Sequence, residues 1–233
     1  MAQNSSTMRK RFLSLPPLRR ILALLVVGVV LVGIVLGVHA SRRPKELPDA
    51  DSKKGLASVE DVIRRVGASG FGRTPRGEKL TRHARELLQS GRIRFTDALE
   101  VDALYRKERI GKGVLYIVVT RIPRGIEWPT ADELARRVYH ETLHAVVDSW
   151  SGCKEEECDG FCAAEEAAAA IENRAPQYPV MRDGDRIWDW VATAYPKVVS
   201  NPRYRPVGYT LAELAKRTGI THTSASSSNG NPR

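Results

Sequence analysis

The pattern of apolar and polar positions divides the chain into four parts. Ile21 to Val38 reads ILALLVVGVVLVGIVLGV, eighteen residues without a charge. As a helix it would be about 27 Å long, close to the hydrocarbon thickness of a bilayer. Residues 21–39 are therefore expected to form a single transmembrane signal anchor behind a basic tail, 1–20. The run exceeds the core of a cleavable signal peptide, although Val38-His39-Ala40 resembles a cleavage pattern. Residues 40–57, rich in Pro and charge, read as a linker. Residues 221–233 are a polar, low-complexity tail, expected to be disordered. The domain then spans 58–220.

Inside that domain the period changes twice. Ser58 is placed to cap a short helix over VEDVIRRVG, and EKLTRHARELLQS fits a second, from about Gly77 to Ser90. RIRF (92–95), VDALYRKERI (101–110) and VLYIVVTRI (114–122) read as strands. The last two would pair as a hairpin through Gly111-Lys112-Gly113. Pro123, Gly125 and Pro129 mark a loop. Thr130 with Glu133 is a capping box that opens a long helix, ADELARRVYHETLHAVVDSW, ended by Gly152. A cysteine-bearing loop follows, then a helix over 161–174 with Asp159 as its cap. IWDWVATAY and TLAELAKRTG supply two more helices. Helices, a small antiparallel sheet, then helices give an α+β fold.

Charge changes little in this picture. The chain carries a net +10, yet eight of its 37 Lys and Arg lie in residues 1–45, which hold no acid. The remaining 29 face 27 acidic residues, a net of only +2. Nucleic-acid binding requires a basic face on the domain itself, so it is not expected. The positive-inside count on the two flanks of the apolar run is nearly balanced. Arg19 and Arg20 against its start favour an N-inside orientation, with the domain outside the cytoplasm. Gly33 and Gly37 form a G-x-x-x-G that would pack two such helices into a homodimer. Cys153, Cys158 and Cys162 lie within ten residues. They allow one disulfide with a thiol left over, three free thiols, or a metal site.

The chemistry concentrates in His140-Glu141-Thr142-Leu143-His144, which holds two of the chain's five histidines. Residues i and i+4 share one helix face, so two imidazoles there can ligate one Zn²⁺. Glu141, about 100° round the helix, would sit beside a zinc-bound water and act as general base. A catalytic site needs a third protein ligand. Positions 147 and 150, where H-E-x-x-H-x-x-G-x-x-H would need Gly and His, are Val and Trp. Glu165 and Glu166 lie 21 and 22 residues after His144. Glu165 shares a face with Phe161 and Ile171, which should point inwards, so Glu165 is the first choice and Glu166 the alternative.

Over about 90–175 the chain resembles the gluzincin branch of zinc metallopeptidases. The resemblance rests on VLYIVVTRI, the HETLH helix and EEAAAAIEN. It implies a zincin-like domain in which His140, His144 and Glu165 bind zinc and Glu141 activates water. It also implies that Tyr116, Ile117 and Val118 line an extended peptide substrate by β-augmentation. Arg137 and Ala169 depart from the family pattern, which usually has an apolar residue or Thr at the first position and in some members Asp at the second. An oxyanion-stabilising residue would come from Tyr178, Tyr195, Tyr204, Tyr209 or His222. The leading expectation is a membrane-anchored zinc peptidase. The alternative is a catalytically inactive, zincin-like, membrane-tethered binding or scaffold module.

Overall fold

The computed structural model describes residues 44–107, 112–147, 152–178 and 186–220. The apolar run 21–39, with its glycine pair, and the tail 221–233 lie outside these residues. Among the described residues no helix is long and apolar enough to cross a membrane. From Lys45 onward the chain forms one compact unit. Its order is α1 (Asp49–Ala68), a 3₁₀ turn (Phe71–Arg73), α2 (Pro75–Gln89), β1 (Ile93–Thr96), β2 (Ala103–Arg106), β3 (Val114–Val118), β4 (Thr120–Ile122), β5 (Gly125–Glu127), α3 (Ala131–Val147), α4 (Lys154–Glu172), α5 (Ile187–Ala194) and α6 (Leu211–Thr218). The α+β class holds.

The main sheet has the order β1-β3-β2. The expected hairpin forms, with β2 antiparallel to β3 and Leu104 opposite Tyr116. On the other side β1 runs parallel to β3, with Phe95 opposite Ile117, so the sheet is mixed rather than antiparallel as expected, because the chain from β1 crosses to β2 before returning as β3 between them. The third expected strand ends early. Pro123 and Gly125 (φ 134°) turn the chain back, so Thr120–Ile122 pairs with Gly125–Glu127 as a separate small hairpin. Glycine is needed at that φ because a side chain would clash with the backbone.

The core joins sheet and helices. Phe95, Leu115 and Ile117 pack with Val59, Val62 and Val66 of α1, Leu80 and Leu87 of α2, and Leu134, Val138 and Leu143 of α3. A second cluster gathers the three cysteines with Ile187, Val191, Tyr204, Leu214 and Ile220. Arg137, unusual for such a helix, binds the sheet instead: it donates to the Val118 carbonyl and pairs with Asp102.

Two boundaries differ from the sequence reading. The segment read as linker belongs to the domain from Lys45. Thr96 Oγ1 donates to the Lys45 carbonyl, Leu47 N–H donates to the Phe95 carbonyl, and α1 begins directly after Pro48. Pro and acidic residues mark linkers, but they also mark helix starts, where a missing N–H costs little and the dipole favours Asp49 and Asp51. Likewise α4 starts at Lys154 rather than after Asp159, so the cysteine loop is helix.

Gly55 tests how firmly the reassigned segment is packed. A Cβ there would stand 2.5 Å from both Phe95 and Trp128. Gly55→Ala is expected to destabilise the protein by about 1–3 kcal/mol through overpacking, despite alanine's better helix propensity. Urea unfolding of the two proteins measures this, and an unchanged or higher midpoint would contradict the packing.

Candidate metal centre

α3 carries both histidines on one face, and α4 lies antiparallel against it. Two contacts give the register: His144 meets Glu157, and eight residues away along both helices Arg136 meets Glu165. Eight residues of helix span about 12 Å. Glu165 is therefore far along the interface from the histidine pair. It accepts from Arg136, Arg174 and the Gln177 N–H. Glu166 pairs with Arg76, 2.7 Å away, in the buried interior. Neither of the expected third ligands joins the histidines.

Glu157 does. His140 Nε2 and His144 Nε2 are 3.2 Å apart. One carboxylate oxygen of Glu157 lies 3.6 Å from the first and the other 3.7 Å from the second. These three residues form a group able to hold a metal ion, with donor atoms within 4.8 Å of one another. Two nitrogens bound tetrahedrally to zinc at ordinary bond lengths would be roughly 3.3 Å apart, so the histidine pair has the right spread.

The tautomer of His144 also suits a metal. Its Nδ1 is 2.8 Å from Glu156 Oε1. A proton shared there leaves the Nε2 lone pair facing His140 and Glu157, the usual role of a carboxylate behind a ligating histidine. Without a metal the cluster favours protons. Burial opposes charge on His144, but the bond to Glu156 and the carboxylates of Glu141, Glu157 and Glu156 outweigh it and raise its pKa to about 9. Burial likewise opposes charge on Glu157, and the two histidines reverse that and lower its pKa. A metal would displace the imidazole proton.

The three consecutive glutamates thus diverge. Glu155 accepts from Ser200 and the Asn201 N–H, Glu156 holds His144, and Glu157 faces the histidine pair. The sequence reading places them in the cysteine-bearing loop ahead of a helix over 161–174. Their signal was three acids just after Gly152, the composition of a helix first turn.

Glu141 is buried on the neighbouring stripe of α3. Its Oε2 accepts from Tyr105 N–H of β2 at 2.5 Å, and its charge reaches His144. Tyr116, Ile117 and Val118 belong to the central strand. Both its edges are occupied, and Tyr116 and Ile117 are buried. They do not form a substrate-facing edge. The edge strand on the Glu141 side is β2.

Three of the five oxyanion candidates are engaged elsewhere. Tyr178 bonds Glu166, and Tyr204 donates to Asp159. The Tyr209 ring stacks against Arg76 and Arg217, with the guanidinium carbons 4.3 and 3.9 Å from its centre. His222 lies outside the described residues. Tyr195 stays: burial first, then the nearby carboxylates of Glu157 and Glu141, push its phenol up to about 12. The cysteines are free and buried, with Cys153 raised to about 12 chiefly by burial. No protein-family model, curated protein or solved structure matches this chain.

The placement of Glu165 has a pH consequence. Burial opposes its charge, but Arg174, the Gln177 N–H and Arg136 prevail and hold its pKa below the ordinary 4.5. A lowered carboxylate pKa contributes stability that is present above 4.5 and lost as pH falls through the folded value. Glu165→Gln should therefore melt below wild type at pH 7, and the gap should narrow as pH falls below 4.5. A constant gap across that range would contradict the ion pairs.

Proposed function

We propose that this chain is a zinc-dependent hydrolase acting on peptide bonds, with His140, His144 and Glu157 as metal ligands and Glu141 as general base. The observation that carries the reading is the convergence of two Nε2 atoms 3.2 Å apart and the Glu157 carboxylate. Three protein ligands leave a coordination position for water, which is the composition of a catalytic rather than a structural zinc site. Bound zinc would lower the pKa of that water and polarise the scissile carbonyl. The chain's own residues do the rest. Glu156 keeps His144 in the ligating tautomer. Glu141 takes the proton of the attacking water and returns it to the leaving amine. The Tyr195 phenol donates to the oxygen on which charge develops. An extended substrate would pair with β2, the edge strand beside Glu141. The apolar run 21–39 would anchor this activity to a membrane, with the domain outside the cytoplasm.

One observation favours the binding-module alternative. Glu141 already has a structural task, because its carboxylate ties the β2 backbone to α3. Glu141→Gln separates the two readings, since the amide retains an acceptor oxygen for Tyr105 N–H. With the full chain in detergent, about one zinc per chain is expected by elemental analysis. Glu157→Gln should lose it, and Glu165→Gln should keep it. Glu141→Gln should keep zinc and lose about 10²–10⁴ in peptide hydrolysis. Unimpaired turnover in that variant would reduce Glu141 to a tether, and folded wild type without metal would overturn the whole reading.

Tyr195→Phe should lower kcat by about 10²-fold with zinc content unchanged. An unaltered kcat would remove Tyr195 from the site.

A further inference from the structure

Resting on that metal reading, we infer that Gly160 is a positioning residue for His140: the missing side chain is the seat in which the imidazole lies. Gly160 follows the ligand Glu157 by three residues, so it occupies the same face of α4 one turn on. A Cβ at this position would stand 2.9 Å from Cε1, 3.0 Å from Nδ1 and 3.2 Å from Nε2 of His140. All three atoms belong to the ring, including the nitrogen that would bind the metal. The ring has little room to retreat. The Phe161 ring meets it edge-on with centroids 4.6 Å apart, and the His144 ring does so at 5.0 Å. Only 12% of the His140 side chain is exposed. Moving it away from α4 would also carry Nε2 off the point it shares with His144 and Glu157.

Helical conformation does not explain glycine here. Gly160 lies in the interior of α4, is absent from the glycines of positive φ, and sits where alanine would be the better helix former. What the position lacks is volume, on the side where His140 lies. The two ligating histidines are thus set from one turn and a half of α4 by opposite means. Glu156 holds His144 by a hydrogen bond, and Gly160 admits His140 by having no side chain.

The test uses the full chain in detergent and two readouts. First, zinc affinity and the visible absorption of the Co²⁺-loaded protein are compared for wild type and Gly160→Ala. The variant is expected to bind zinc about 10–100-fold more weakly, the usual loss when a ligand's orientation is disturbed. Its cobalt spectrum should also change, which a purely structural role would not produce. Second, thermal midpoints of the metal-free proteins form a cycle with His140→Ala. Gly160→Ala should lower the midpoint when His140 is present and raise it when His140 is Ala, because only the helix-propensity gain then remains. If Gly160→Ala does not fold, folding restored in the double variant supports the inference, and a double variant that stays unfolded overturns it. Wild-type affinity and an unaltered cobalt spectrum in Gly160→Ala overturn the role of Gly160 alone. Absence of zinc uptake by wild type overturns the metal reading and this role with it.

Discussion

Burying one acidic helix is the constraint around which this domain is built. α4 takes Glu155, Glu156, Asp159, Glu165 and Glu166 to exposures of 9% or less, with Glu157 only partly exposed beside them. A buried carboxylate is costly unless it is paired and hydrogen-bonded. Each of these finds partners outside α4. Asp159 and Glu166 share Arg76 of α2, and Asp159 also accepts from Tyr204 and the Val207 N–H. Burial works against the charge of Arg76, but the two carboxylates outweigh it and raise its pKa further. Glu165 takes Arg136 and Arg174, Glu155 takes the turn at Ser200 and Asn201, and Glu156 and Glu157 take the histidines. The acids of α4 thereby tie α2, α3 and the C-terminal loop to one axis.

The candidate metal centre is one solution within that scheme. At its level of α4 the partners opposite are two imidazoles, whose ring nitrogens could also take a metal. Opposite Asp159, Glu165 and Glu166 they are arginines, which remain charged. The alanines of α4 let α3 approach closely; Ala163 and Ala167 have no exposure and sit in the core with Val138 and Leu143. That approach brings the His140 ring against the backbone at Gly160. The same tight antiparallel packing makes the register unambiguous, and the register decides which glutamate reaches which partner.

The sheet contributes position more than chemistry. β3 is buried in the middle, and Arg137 and Glu141, on α3, grip the strands at the Val118 carbonyl and the Tyr105 N–H. Glu141 thus links an edge strand to the histidine helix.

Much of this was legible in the chain alone. The HETLH helix, its four-residue histidine spacing, the β2–β3 hairpin and the α+β order follow from local periodicity and turn chemistry, which act over a few residues. Two kinds of information were not local. The start of α4 was hidden because Cys153 to Asp159 resembles a polar loop until Glu155 and Asp159 find partners 45 or more residues away, such as Asn201 and Tyr204. The carboxylate that meets the histidine pair was not legible because glutamates of one helix differ only in what the packed neighbour offers them. Periodicity determined that the histidines share a face. Only the antiparallel register of α3 on α4 decided that Glu157 meets them while Glu165 meets Arg136, since a carboxylate's role depends on the charge opposite it.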